Sequence, residues 1–446
     1  MYSIGILRRL VATALFSGAF VANAATVAII DSGVDYKHEA LAAKMWTNPN
    51  SSTTDDAGNT YKNDTNGWNF AENNNQIIDY KYVGTFSPDC FRMIEVQGRI
   101  LQGIATPEEQ TWYKSKRADA NFLKEMQKFG NFIHGTHVSG ISTDQSQAAD
   151  VVGVKLIPTE TPGAGLTISS DRAANPMVSA LLGMVAKRQA SLLLKAGKYT
   201  KAVGARVANG SFGTSVAAVK PVVAQLVKQI TGADPTEAEL NEYALDLVQK
   251  ILKESQGFVA ASPGTLFVFA AGNDGTNNDQ SPVSPANIKT DNTIAVAATL
   301  GAEKIATFSN FGTKMVDVAA PGVAIRASIP GNQYLPLSGT SMAAPFVTNV
   351  AARVQEANEA LKPVDIKRIL VDTVDKKDWL TSKVRSGGIV NAERAVEAAS
   401  LSRSMSVEQA IKLSRSSVGD EMHLPMNIDP KMESELLVTS LPSLFQ

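Results

Sequence analysis

The sequence predicts an α/β fold: a doubly wound, mostly parallel sheet with helices on both faces and surface insertions. Three observations predict it. Short apolar runs without polar alternation recur along the chain, as strands buried on both faces read. Helix-length stretches separate them, and parallel strands require such crossovers. A carboxylate and several glycine-rich clusters sit just past the runs, where sheets of this kind carry their chemistry.

The first residues read as an export signal. Arg8 and Arg9 precede the apolar run Leu10 to Val21, and Ala22-Asn23-Ala24 has the small-x-small form of a cleavage site. Thr26-Val-Ala-Ile-Ile30 is the first buried strand, and Val151 to Ile157, Leu266 to Ala270 and Thr293 to Ala298 read alike. Met177 to Lys195 and Thr236 to Ser255 are expected helices, the second opened by a Thr236/Glu239 capping box. Beyond the signal, no segment is expected to reach the roughly 18 apolar residues of a membrane span.

Composition limits the function. The chain has 446 residues, 44% hydrophobic, and a formal net charge of -1. Such a balance lacks the clustered Lys and Arg excess of a nucleic-acid footprint. One cysteine, Cys90, leaves no intramolecular disulfide and no multi-Cys zinc site.

Four blocks carry candidate chemistry. Asp31-Ser-Gly-Val-Asp35 ends the first strand, and His134-Gly-Thr-His137 opens a small-residue run. Ala270-Ala-Gly-Asn273 ends another strand, and Ser338-Gly-Thr-Ser-Met-Ala-Ala-Pro345 precedes an apolar helical pattern. Each alone has a structural reading: a turn acceptor, a packed imidazole, an Asn-Asp-Gly turn, a helix cap. Together, Ser341, His134, Asp31 and Asn273 are a nucleophile, a base, a carboxylate to orient the base, and an oxyanion donor.

In that order, Asp then His then Ser, the blocks resemble those of the subtilisin-like serine peptidases, whose order is well established. Ile29 to Asp35, His134 to His137 and Gly339 to Pro345 carry the resemblance, with Ala306 to Gly312 and Val318 to Gly322 between. It extends from about Thr26 to Ala399. It implies that Asp31, His134 and Ser341 are catalytic, that Asn273 stabilises the oxyanion, and that His137 is a structural neighbour. It further implies that Ser211, Phe212 and Gly213 form one wall of the substrate cleft, and Ala270, Ala271 and Gly272 the other. Strand-like pairing with substrate implies broad specificity. Small wall residues leave room for a large apolar side chain at the cleavage site.

His134 lies 103 positions after Asp31, several times the compact spacing of the family. Two insertions are expected, about residues 81–130, read as mostly polar, and about residues 216–257, read as extra helix. The expected organisation is a signal over residues 1–24, a peptidase domain over 25–402, and a tail over 403–446 of unassigned role. Asp55, Asn59 and Asp64 could hold a structural calcium, though a solvated turn is the stronger reading; no cofactor is needed for the chemistry. Cleavage after Ala24 leaves no room for an N-terminal pro-domain, so an insertion or the tail is expected to restrain or assist folding. The expected protein is a secreted or periplasmic endopeptidase acting on proteins or peptides, with no nucleic-acid partner and no membrane span once mature. The rival expectation is a catalytically silent peptide-binding domain on the same scaffold.

Overall fold

The computed structural model describes residues 25–144, 150–160, 176–421 and 442. The expected signal, residues 1–24, and the tail around His423 lie outside the described residues. Nine strands form the main path of the sheet, in the spatial order Asp375–Lys376, Gly388–Ile389, Val318–Pro321, Thr293–Leu300, Leu266–Ala270, Val207–Gly210, Thr26–Asp31, Asp150–Lys155 and Gly67–Asn69. All neighbours along this path are parallel except the Asp375–Lys376 edge, and Lys304–Ile305 adds a short antiparallel spur. The chain starts at Thr26–Asp31, then builds outward on both sides of it. Asp31 therefore ends the strand where the winding reverses, the place where such sheets bind ligands.

The four strands expected from apolar runs are present: Thr26–Asp31, Asp150–Lys155, Leu266–Ala270 and Thr293–Leu300. Their side chains face two ways. Val27 and Ile29 cluster with Val138, Ile141 and Met342, while Ala28 and Ile30 cluster with Leu193, Ala196 and Tyr199. Both faces are buried, which is why no polar alternation marks these runs.

Helices α1 (Pro88–Leu101), α2 (Pro107–Arg117) and α3 (Ala120–Ser142) fill the first expected insertion and run on through His134. The segment is not the mostly polar cover that its composition suggested. Met93, Val96, Ile100, Tyr113, Phe122 and Phe129 form a buried cluster of their own with Ile329 and Leu335 of the hairpin Ile325–Ile329/Gln333–Leu337. On α1 the buried Cys90, Met93, Val96, Gln97 and Ile100 recur at helical spacing, so one stripe is apolar although the mean is polar.

Helix α4 (Pro176–Ala202) packs against α5 (Val216–Thr231) and α6 (Glu237–Glu254) through Leu182, Val223, Leu226, Leu247 and Val248. By length and apolarity α4 could cross a membrane, contrary to the sequence expectation. Here it is a packing helix whose Leu193, Ala196 and Tyr199 lie in the core. The Thr236 capping box forms as expected, with Glu239 N–H donating to Thr236 Oγ1 at 3.3 Å and Thr236 N–H to Glu239 Oε2 at 2.9 Å. A short helix, α7 (Gln256–Ala260), leads into the next strand. Then α8 (Thr340–Ala357), α9 (Pro363–Asp372), α10 (Ala392–Leu401) and α11 (Val407–Ser417) complete the fold.

The carboxylates of the Asp55 to Asp64 loop, expected in a solvated turn or less favourably around calcium, are buried among hydrogen-bond donors. Asp55 accepts from Asn59, Ala57 N–H and the Tyr61 hydroxyl, and Asp64 accepts from Asn48, Thr53 N–H and the Tyr199 hydroxyl. Donors at those distances suit carboxylates that anchor the loop. Among the described residues, no group of three or more His, Cys, Asp or Glu is arranged for a metal.

Candidate active site

Asp31 is fully buried at its strand end. Its Oδ1 accepts the Ser32 N–H at 2.7 Å and His134 Nδ1–H at 2.7 Å. Facing a carboxylate, Nδ1 carries the proton, which leaves Nε2 as the ring's acceptor. His134 sits well inside α3, not at the head of a helix.

The glycines of both blocks explain how the two side chains meet. A Cβ on Gly135 would come within 2.2 Å of Gly33 O, and one on Gly33 within 2.5 Å of Ile77 O. Hydrogen at Gly135 lets α3 rest on the turn after Asp31, and hydrogen at Gly33 lets that turn pass the Ile77 backbone. Gly33 also has φ +129°, a region that L side chains rarely adopt. The neighbouring hydroxyls fix the contact: Gly135 N–H donates to Ser32 Oγ at 3.2 Å, and Asp35 N–H to Thr136 Oγ1 at 2.9 Å.

His137, one turn from His134, is fully buried and bonds Leu335 O through Nε2 at 3.0 Å, tying α3 to the hairpin. Burial pushes its imidazole from the ordinary 6.5 down to about 3. The unfolded chain therefore binds a proton between those values that the folded chain refuses, so stability falls as pH falls from 6.5 toward 3. Urea midpoints measured at pH 7 and pH 5 should show that loss, and His137→Gln should flatten it. Equal pH slopes in the two proteins would refute this account.

Lys155, also fully buried, stands beside Asp31 in register and pairs with Asp79 at 2.7 Å. Burial alone would raise the Asp79 carboxyl, but the bonds from Lys155 and Thr159 outweigh it and hold the group below its usual range.

Ser341 is the second residue of α8, 3% exposed, with Gly339 as N-cap. Its N–H belongs to the first turn, where helix donors lack intrahelical partners and the helix field is positive. Gly322 allows this entry, since a Cβ there would lie 2.8 Å from Gly339 O. Pro345 has no N–H to offer the Ser341 carbonyl four residues back. Ser211 Oγ takes that place at 3.0 Å, and the Ser341 hydroxyl donates to Ser211 O at 3.3 Å. The hydroxyl thus rests on Ser211, not on His134, although both line one cavity. Catalytic hydrogen bonds are commonly loose before substrate arrives.

Asn273 follows the strand Leu266–Ala270. Its Oδ1 accepts Thr340 N–H at 2.9 Å and the Thr340 hydroxyl at 2.8 Å, while its Nδ2 lies against Gly339. Thr340 Oγ1 in turn accepts Gly272 N–H at 3.2 Å. Asn310 supports the same turn through Asp274 N–H and Thr276 N–H, and a Cβ on Gly272 would strike its amide at 2.4 Å. This accounts for the Ala306 to Gly312 block. Sequence reasoning does not single out Thr340 and Asn310 as positioning residues; the hydroxyl beside Ser341 is the one signal that could have marked Thr340.

Of the expected cleft walls, Ser211 touches Ser341 on both sides. Phe212 is buried in the core, so its backbone alone can face the cleft. Gly213 N–H donates to Pro442 O at 2.9 Å, which brings Pro442 onto this wall. Ala270, Ala271 and Gly272 are buried at the opposite strand end.

The doubly wound sheet thus carries an Asp–His pair and a helix-borne serine close to its switch point. The chain belongs to the Subtilase family (Peptidase S8), which it matches over residues 22–393. It is 44% identical over 148 residues to an extracellular protease of Xanthomonas campestris pv. campestris, covering 31% of this chain and 25% of that one. It is 37% identical over 136 residues to Subtilisin BL of Lederbergia lenta, covering 30% and 48%. The matched stretches thus span less than half of these curated relatives. A solved cold adapted subtilisin-like serine proteinase overlaps 85% of this chain and 94% of its own, at 19% identity and TM-score 0.42.

Proposed function

We propose that the protein is an exported serine endopeptidase that cleaves proteins or peptides through an acyl-enzyme. The observation that carries this is the 2.7 Å bond between Asp31 and His134, beside a serine at a helix N-terminus in the same cavity. The Ser341 hydroxyl rotates from Ser211 O to His134 Nε2 and attacks the substrate carbonyl while the ring takes its proton. Asp31 holds Nδ1–H and faces the positive ring that forms. The developing oxyanion meets Ser341 N–H and Asn273 Nδ2, donors that Thr340 pre-orients. The C–N bond then breaks, and His134 returns the proton to the departing amine. Water hydrolyses the resulting ester by the same route.

Substrate would lie along Ser211, Phe212 and Gly213, with Ala270, Ala271 and Gly272 opposite and room for a large apolar side chain. A fluorophosphonate probe should label Ser341, as read by mass spectrometry of the modified peptide. No label, or a label elsewhere, would sink the reading.

The tail occupies a donor that such a substrate needs. Pro442 O takes the Gly213 N–H. Deleting Pro442 to Gln446 should lower KM about two- to tenfold at constant kcat, because one backbone hydrogen bond is worth roughly 0.5–1.5 kcal/mol net. An unchanged KM in initial-rate assays would mean that the tail does not compete.

A further inference from the structure

We infer that the outward face of α4 docks on the surface of an anionic lipid bilayer, lying flat on it and not crossing it. The inference is independent of the peptidase reading, since it concerns where the chain sits and not what it cleaves. α4 carries five cations, Lys187, Arg188, Lys195, Lys198 and Lys201, and no acidic residue in its 27 positions. Lys201 pairs with Asp56. Among the described residues, Lys187, Arg188 and Lys195 enter no ion pair. These three share an exposed stripe with Met184, Ser191 and Leu194, recurring every three or four positions as one face of a helix requires. Uncompensated cations on one helix face are complementary to a surface of negative headgroups.

The apolar members of the stripe decide the kind of anionic partner. Met184 is 59% exposed and Leu194 36%, two of the six large apolar side chains that the described residues leave exposed. Both stand among the cations: Met184 lies one turn before Lys187 and Arg188, and Leu194 is next to Lys195. A soluble polyanion gains nothing from them. The boundary of a bilayer takes apolar side chains into its acyl region and leaves Lys and Arg at the headgroups. The opposite face of α4 fixes the depth. Val178, Leu182 and Ala186 pack with α5 and α6, and Leu193, Ala196 and Tyr199 lie in the core. Crossing a bilayer would strip those contacts and carry the cations into hydrocarbon, where each is costly. Only 33% of the most apolar stretch of α4 is buried, so its apolarity exceeds what its packing uses.

The test is co-sedimentation of the full chain with vesicles of equal parts phosphatidylglycerol and phosphatidylcholine, against phosphatidylcholine alone. The chain should pellet with the anionic vesicles and leave them as salt rises. Residues 1–24 are common to every variant, so binding through them cancels in the comparison. Lys187→Gln, Arg188→Gln and Lys195→Gln together should lower the partition coefficient about 100-fold, roughly fivefold per cation. Met184→Ser with Leu194→Ser should lower it roughly tenfold and leave retention on heparin, a soluble polyanion, unchanged. All five positions are exposed, so thermal midpoints should match that of the parent. Equal binding to neutral and anionic vesicles, or a triple variant that binds as the parent does, overturns the inference. A chain held by heparin but not by vesicles would make the stripe a polyanion site and overturn the lipid assignment.

Discussion

Ser341→Ala and His134→Ala are each expected to lower kcat by roughly six orders of magnitude while the protein stays folded. The size of that loss is subtilisin's own, carried over to a member of its family. The direction follows from the geometry. Without the hydroxyl there is no nucleophile at the head of α8, and without the ring nothing takes its proton or protonates the amine. Because the groups act as a unit, the double variant should be no worse than either single one. Both side chains pack against the cavity, so the thermal midpoint of each variant should stay close to that of the parent. Hydrolysis of a quenched peptide, with fluorophosphonate labelling in parallel, measures the effect. A loss of less than a hundredfold in a folded protein would remove the residue concerned from the chemistry. His137→Gln is the internal control: it disturbs a hairpin anchor and should cost stability far more than it costs kcat.

Asp31→Asn should reduce kcat by about 10⁴, the scale known for this exchange in serine proteases of another fold. Asparagine has nearly the shape of the carboxylate, but Ser32 N–H and His134 Nδ1 share Oδ1, so an amide nitrogen turned to the ring gives up the Ser32 bond. It has no charge to face the imidazolium, and its amide can hold His134 in the wrong tautomer. Turned the other way, the amide N–H would be buried at the Oδ2 position, which has no partner among the described residues. Some loss of stability therefore accompanies the loss of rate. KM should hardly move, since Asp31 touches the ring and not the substrate. A variant that keeps a tenth or more of parental kcat would mean that other contacts, such as Gly135 to Ser32, orient the ring unaided.

Much of the fold and of the site is legible in the residues themselves. Buried parallel strands announce themselves as unbroken apolar runs because both their faces meet helices. The Thr236/Glu239 box marks a helix start because its bonds are local. The glycines beside Asp31, His134 and Asn273 mark close approach without saying to what. Average composition misleads on the first insertion, because it hides the single apolar stripe that α1 presents to the hairpin.

The sequence by itself determined four of the central strands, the Thr236 helix start and the chemical types of the candidate site, since these depend on neighbours within a few residues. Only the tertiary structure decided their meeting. The Asp31–His134 bond joins residues 103 positions apart, and the Ser211–Ser341 contacts join residues 130 apart. It also decided that the Ser341 hydroxyl rests on Ser211 and that Pro442 reaches Gly213. Nothing local favours these contacts. They exist because winding the sheet both ways from Thr26–Asp31 brings distant strand and helix ends to one edge, and glycines remove the side chains that would have kept them apart.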